Sequence, residues 1–305
     1  MQLRQLGATN LWITPIGLGC WQFSQARGLI GSFWGHLTQE VIDAIVTAAL
    51  QGGINWFDTA EAYGRGRSET ALATALTHAG RVNGDVLIAT KWWPWLRGAS
   101  SMATSAEQRL AHLGGFGIDL FQVHTARGSL SSHRAQMEGM AKLLEAGRIK
   151  SIGVSNFSAT QMRLCHAVLR ERNMALATNQ VAYSLLDRRI ESNGVLDVAE
   201  ELGITIIAYS PLAQGLLAGA FHEDPDAIKK RPGPRRYLRR FRPRGLEQSA
   251  PIVTELQRLA QKYSATPSQV ALNWLVSFHG ETVVAIPGAT KVRHAIENAT
   301  ALTFE

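Results

Sequence analysis

Short apolar runs alternate with longer amphipathic stretches along this chain of 305 residues. The runs are "IGLGCW" (16–21), "INWFDT" (54–59), "VLIATK" (86–91), "LFQVH" (120–124), "SIGVSN" (151–156), "TNQVAYS" (178–184), "TIIAYSP" (205–211) and "TVVAIPG" (282–288). Between them lie segments such as "TQEVIDAIVTAALQGG", "MEGMAKLLEAGR" and "GVLDVAEELG". Their apolar positions recur at helical spacing, and the last two carry glycine near their ends, as helix C-termini do. Near-continuous apolar strands separated by helices predict a parallel sheet covered on its outer side.

Eight such units in a chain of this length predict an α/β fold, a closed (β/α)8 TIM barrel. Ahead of the first unit, "LRQL" and "LWIT" flank "GATN", which predicts an N-terminal β-hairpin over residues 1–13. No shift of composition marks a boundary, so residues 1–305 read as one domain. The one long irregular stretch is expected over about residues 221–248, and a loop that long is usually functional or disordered.

Charge sharpens that expectation. Nine of the 31 basic residues, Lys229, Lys230, Arg231, Arg235, Arg236, Arg239, Arg240, Arg242 and Arg244, fall in this stretch with no acid among them. The remaining 22 face 24 acidic residues, so the formal net charge of +7 is local. A focused patch suits a specific anion rather than a generally basic surface. With few apolar residues to anchor it, the stretch is expected to move. No run reaches the ~18 apolar residues of a membrane span. The start lacks an apolar leader, and Cys20 and Cys165 form no metal or redox motif. Together these suggest a reducing, cytoplasmic setting, no membrane partner and no bound metal.

In a barrel of this kind the site lies at the carboxyl ends of the strands. The runs end in, or lead to, Asp58, Lys91, His124, Ser155 with Asn156, Gln180, Ser210 and Gly288, and Tyr63 follows Asp58 after a short loop. A phenol is a weak acid, with an ordinary pKa of about 10. An ammonium from Lys91 would lower that value, and Asp58 would hold Lys91 charged. His124 would donate to a substrate oxygen. Singly, each residue has a structural reading: a cap, a solvated amine, a core edge. Four together at successive strand ends describe a proton donor aimed at an oxygen becoming an alkoxide. That is carbonyl reduction, and its hydride must come from a nicotinamide.

The stretches "NWFDTAEAYGRGRSE", "IATKW", "FQVH", "IGVSNFS", "NQVAYS", "AYSPLAQGLL" and "IPGATK" resemble the aldo-keto reductases, in that family's order and spacing. The likeness is to the branch with bacterial general-stress reductases, perakine-type reductases and potassium-channel β subunits. It implies a catalytic tetrad of Asp58, Tyr63, Lys91 and His124, with Tyr63 as the acid. It implies NADPH as cofactor. Ser155, Asn156 and Gln180 would hold the nicotinamide carboxamide, and Tyr209 would stack on its ring. Ser210, Pro211, Leu212, Gln214 and Gly215 would wrap the pyrophosphate. Gly288, Thr290, Lys291, His294, Glu297 and Asn298 would surround the adenosine and its 2′-phosphate, with Gly19, Trp21 and Ile286 as further cofactor contacts.

The chain departs from the family pattern at three places. Ala220 stands where a lysine is frequent, which gives the arginine cluster a pyrophosphate to bind. His294 stands where arginine or glutamine is frequent, so Lys291 or Arg293 would hold the 2′-phosphate. Relatives usually continue past the final "ALTFE". Trp21, Trp34 and Trp92 are expected to wall a pocket for an aromatic or flat carbonyl substrate. Phe33, Trp93 and Trp95 stand nearby, the last two equally readable as packing. A slow redox sensor that retains its cofactor is the alternative function. Nucleic-acid binding fits the composition of "KKRPGPRRYLRRFRPR", but a loop over a dinucleotide already meets a polyanion, so no nucleic-acid partner is expected. The oligomeric state stays open.

Overall fold

The computed structural model describes residues 2–26, 33–230 and 233–304. Strands β1 (Arg4–Gln5) and β2 (Trp12–Ile13) pair antiparallel as the expected hairpin. Eight parallel strands follow in sequential order: β3 (Leu18–Gly19), β4 (Trp56–Asp58), β5 (Leu87–Trp92), β6 (Leu120–Val123), β7 (Ile152–Ser155), β8 (Leu176–Ala182), β9 (Thr205–Tyr209) and β10 (Val283–Ala285). Each coincides with one of the eight apolar runs. The helices between them include α1 (Gln39–Gln51), α2 (Arg67–His78), α3 (Met102–His112), α4 (His133–Glu145), α5 (Ala159–Arg170) and α6 (Val195–Leu202). After β9 come the single turn α7 (Ala220–Glu223), then α8 (Pro243–Lys262) and α9 (Pro267–Ser277), and after β10 comes α10 (Val292–Ala299).

The sheet curls until its edges touch. Gly17 and Gly19 donate to the carbonyls of Ala285 and Pro287 at 2.9 and 3.1 Å, and Ala285 donates to Pro15 at 2.9 Å. Strand alternation then sorts side chains into two layers. Outward positions such as Phe57, Ile88, Phe121 and Val154 join the helices in one large core. Inward positions Trp56, Ala89, Leu120, Ala177, Ile207 and Val284 form a smaller apolar plug, to which Leu6 and Ile13 of the hairpin segment contribute. One pleat repeat further along, the inward positions turn polar: Asp58, Lys91, Gln122, Ser155 and Gln180. The plug closes one end of the sheet, and the polar layer opens at the other.

The 221–248 stretch departs from expectation. Rather than an irregular loop, it is a chain of helical turns, Ala220–Glu223, Pro225–Ile228, Pro234–Tyr237 and Arg239–Phe241, running into α8. Pro225, Pro234 and Pro243 each sit in the first turn of such an element, where proline's fixed φ favours the start of a helix. Phe221, Ile228, Phe241 and Leu246 are buried in an apolar cluster with Leu256 of α8 and Ala271 of α9. The segment is thus anchored by apolar groups that the count of charges obscured. Arg231 lies outside the described residues. Among the described residues, no helix is long and apolar enough to cross a membrane.

The plug needs a bare backbone at Gly17. A Cβ there would come 2.3 Å from Trp56 Cε2, and the Trp56 ring is held by its Nε1–H bond to the Thr14 carbonyl at 2.9 Å. Gly17→Ala should therefore cost about 1–3 kcal/mol of overpacking strain. Urea denaturation measures this, and an unchanged midpoint would show that Trp56 shifts freely.

Candidate active site

Asp58 and Lys91 meet where the polar layer begins. Lys91 Nζ donates to Asp58 Oδ1 at 2.5 Å and to the Thr59 carbonyl at 2.8 Å, and both side chains are at most 1% exposed. Gln180 and Gln122 donate to the other carboxylate oxygen at 2.8 and 3.2 Å. A buried ion pair needs further hydrogen bonds to repay its desolvation, and here both carboxylate oxygens and two of the three ammonium protons have them. Gln122 was not singled out from the sequence. It lies two residues before His124, and period-two alternation places both on the inner face.

Tyr63 reaches this pair from the β4–α2 loop. Lys91 Nζ lies 5.0 Å from its ring centroid, and the His124 ring meets it edge-on at 5.7 Å. Enclosure away from water pushes the Tyr63 phenol well above its ordinary value, and the Asp58 carboxylate adds to this. The sequence-based expectation was the reverse, that Lys91 would acidify Tyr63. Desolvation outweighs the ammonium, whose own affinity for protons burial lowers against the opposing pull of Asp58. Burial, with Lys91 second, drops the His124 imidazole well below its ordinary value. At neutral pH the cluster thus holds a protonated phenol beside a neutral imidazole, both able to donate a hydrogen bond to one oxygen.

A cavity of about 1710 Å³ opens above Tyr63. Asp58, Tyr63 and His124 line it, while Lys91 lies behind them. All the residues expected to contact cofactor line it too, from Gly19 and Trp21 through Ser155, Asn156, Gln180 and 209–215 to Ile286 and 288–298. Several are held in place by neighbours. Ser155 Oγ donates to the Gln180 carbonyl at 2.9 Å, and Tyr209 donates to Asn156 Oδ1 at 3.0 Å. Asn156, Ser210, Ala213 and Gln214 adopt positive φ, a conformation that costs such residues energy and clusters at functional sites. A Cβ at Gly288 would come 2.1 Å from the Gln22 amide, so that wall is set by glycine.

Aromatic rings wall the part nearest Tyr63. Trp21 stacks on Phe33 and on Tyr63 with centroids 4.8 and 6.0 Å apart, and Trp34 meets Trp21 edge-on at 5.8 Å. Trp93 packs edge-on against His124 at 5.1 Å, and both Trp93 and Trp95 line the cavity. Trp92 does not. It is fully buried in the outer core and donates to Ser101 Oγ at 3.1 Å. Alternation explains the correction: Lys91 points inward, so its neighbour on the strand points out.

A second ionic group lies beside this one. Glu69 of α2 is fully buried, paired with Arg109 Nε at 2.8 Å and accepting from Thr90 Oγ1 at 2.6 Å. Arg109 Nη1 also lies 3.1 Å from Glu61, which lines the cavity. Nothing in the sequence pattern pairs these residues, because they come from separate loops and helices.

The aldo/keto reductase family model matches residues 15–305. The chain belongs to that family. It is 31% identical to the chloroplastic pyridoxal reductase of Arabidopsis thaliana, over 97% of this chain and 80% of the relative. Among solved structures, it resembles a glycerol dehydrogenase of Gluconobacter oxydans with a TM-score of 0.81 at 26% identity, covering 98% of this chain and 89% of that one. It also resembles an aldo/keto reductase of Klebsiella pneumoniae in complex with NADP and acetate, with a TM-score of 0.75 at 25% identity and coverage of 99% and 90%. Membership of the aldo/keto reductases makes this chain an oxidoreductase and supports carbonyl reduction in general.

In this aldo/keto reductase, burial raises the Glu69 carboxyl from 4.5 to about 7. Between those values the folded protein keeps a proton that the unfolded chain has released, so the contribution of Glu69 to stability falls as pH rises through that window. Glu69→Gln stays neutral throughout. Its melting temperature should therefore gain on that of the parent as pH is raised from 4.5 to above 7. Thermal unfolding across that range checks this, and a pH-independent difference would mean that Arg109 offsets the burial of the charge in full.

Proposed function

We propose that this protein reduces aldehyde or ketone carbonyls to alcohols with NADPH. The observation that carries the reading is the convergence of Tyr63, Lys91, Asp58 and His124 at the aromatic end of one large cavity. The rest of that cavity suits a dinucleotide. Its volume exceeds the ~300–1,000 Å³ of an ordinary small-molecule pocket. Among the described residues, Gln22 Oε1, Trp34 Nε1, Gln214 Oε1 and Asn298 Nδ2 are buried without hydrogen-bond partners, and all four side chains belong to its lining. Orphaned amide and indole groups of this kind fit a ligand rich in donors and acceptors.

When bound, nicotinamide supplies the hydride that reaches the carbonyl carbon. Tyr63 gives its phenolic proton to the oxygen as the C=O double bond becomes a C–O single bond. A pKa raised by enclosure keeps that proton available across the neutral range. The Lys91 ammonium stabilises the phenolate that remains, and Asp58 keeps Lys91 charged in place. His124 in its neutral form offers a second hydrogen bond to the same oxygen. Trp21, Trp34 and Trp93 select flat or aromatic substrates.

Of the arginine cluster, only Arg235 among the described residues lines the cavity. It donates to the Gln214 carbonyl at 3.2 Å and stacks over the Trp34 ring at 4.5 Å, whereas Arg236, Arg239 and Arg240 are exposed. We assign the pyrophosphate contact to Arg235, and the 2′-phosphate to Lys291 and Arg293. The curled sheet reads as a closed (β/α)8 barrel spanning residues 1–305 as one domain. We place the protein in the cytoplasm, with a small-molecule carbonyl as its partner and neither nucleic acid nor membrane. The Arg235–Trp34 contact across the cavity favours a second reading, a slow sensor that retains its cofactor. Turnover of nitrobenzaldehydes, set against cofactor retention through gel filtration, separates the two.

Tyr63→Phe keeps the ring and loses the transferable proton. It should lower kcat by at least about a hundredfold while NADPH binding stays intact; near-normal turnover would sink the tetrad. Arg235→Met should raise the NADPH dissociation constant about tenfold and flatten its dependence on salt. Unchanged binding at low salt would remove Arg235 from the cofactor site.

A further inference from the structure

The sequence "DTAEAYG" places Glu61 between Asp58 and Tyr63, and the mechanism above leaves it unused. Its carboxylate gathers four partners from across the mouth of the site. Oε2 accepts the Trp93 backbone N–H at 2.9 Å and the Ser105 hydroxyl at 3.1 Å. Oε1 accepts Arg97 Nη1 at 2.8 Å and lies 3.1 Å from Arg109 Nη1. Arg97 also donates to the Trp93 carbonyl at 3.2 Å. Both backbone polar groups of Trp93 are therefore pinned, one directly by Glu61 and one through Arg97. The Glu61 backbone N–H in turn bonds the Lys91 carbonyl at 3.3 Å. Behind this group, Arg109 is itself fixed by the buried Glu69.

The pinned residue is the one whose ring meets His124, at 5.1 Å. Charge-assisted hydrogen bonds are the stronger kind, and three of them with an ion pair to Arg109, on a side chain that is only 17% exposed, leave little freedom. Trp95, by contrast, is 55% exposed, so burial of its rings does not anchor this loop: Glu61 holds its start at Trp93, and hydrogen bonds of Leu96 and Arg97 to Gly128 and Leu130 hold its end.

We propose that Glu61 is a positioning residue for substrate selection: it holds the 93–97 loop so that the Trp93 ring stands against His124 and fixes the width of the substrate slot. This rests on the reading of the cavity as a carbonyl-reducing site. The effect should fall on substrate fit, since the Glu61 side chain touches neither the Asp58–Lys91 pair nor the segments assigned to cofactor.

The test compares the parent with Glu61→Gln for 4-nitrobenzaldehyde and propanal. An amide has one accepting oxygen for these three donors and no charge to pair with Arg97 and Arg109. KM for the aromatic substrate should rise about tenfold as the near-attack geometry loosens, with kcat for propanal changed by less than about twofold. The NADPH dissociation constant should not move. Arg97→Met, at the more exposed partner, should shift the same KM in the same direction, which keeps the inference testable if Glu61→Gln folds poorly. Adding the two changes should give less than the product of their separate effects. Equal loss on both substrates, or an unchanged KM ratio in both variants, would overturn the role of Glu61. Absence of turnover in the parent would instead overturn the carbonyl-reducing reading on which it rests.

Discussion

A charged pair buried in a polar layer governs the arrangement of this site. Lys91 and Asp58 are removed from water almost completely, and each alone would be costly to bury. Together they require a geometry in which further hydrogen bonds support both charges. Gln122 and Gln180 supply them to the carboxylate, and the Thr59 carbonyl to the ammonium. Those partners come from two strands, β6 and β8, and the loop after β4, so the pair ties the sheet together at the level where the apolar plug ends. Loosening any one of these strands would leave a buried charge exposed to a poorer set of partners.

The same low-polarity setting determines what the neighbours can do. Tyr63 is held in its protonated form by enclosure, and His124 is held neutral. Both line the cavity against the aromatic wall of Trp21, Trp34 and Trp93. The second ionic group, built from Glu61, Glu69, Arg97 and Arg109, stands at the edge of this wall and connects it to α2 and α3.

The basic segment after β9 shows how composition can mislead about order. Its arginines suggested a loosely held loop. Phe221, Ile228 and Phe241 anchor it in a core of its own, and proline starts its turns. Among its described cations only Arg235 is drawn inward, stacked on Trp34. The remaining described cations face solvent, so they shape the field outside the cavity more than its contents.

What the sequence determined by itself was whatever depends on period and order. The eight parallel strands, the hairpin ahead of them and the amphipathic helices follow from alternation and spacing. The inward row of Asp58, Lys91, His124, Ser155 and Gln180 follows from the ends of those strands. Alternation also held the correction for Trp92, which sits beside Lys91 and must face the other way. Tertiary structure alone decided what depends on which loops meet. The pairing of Glu61 with Arg97 and of Glu69 with Arg109, the contact of Arg235 with Trp34, and the raised pKa of Tyr63 belong to this class. Each arises from the distance between segments far apart in the chain and from the water they exclude, and neither quantity is written in local pattern.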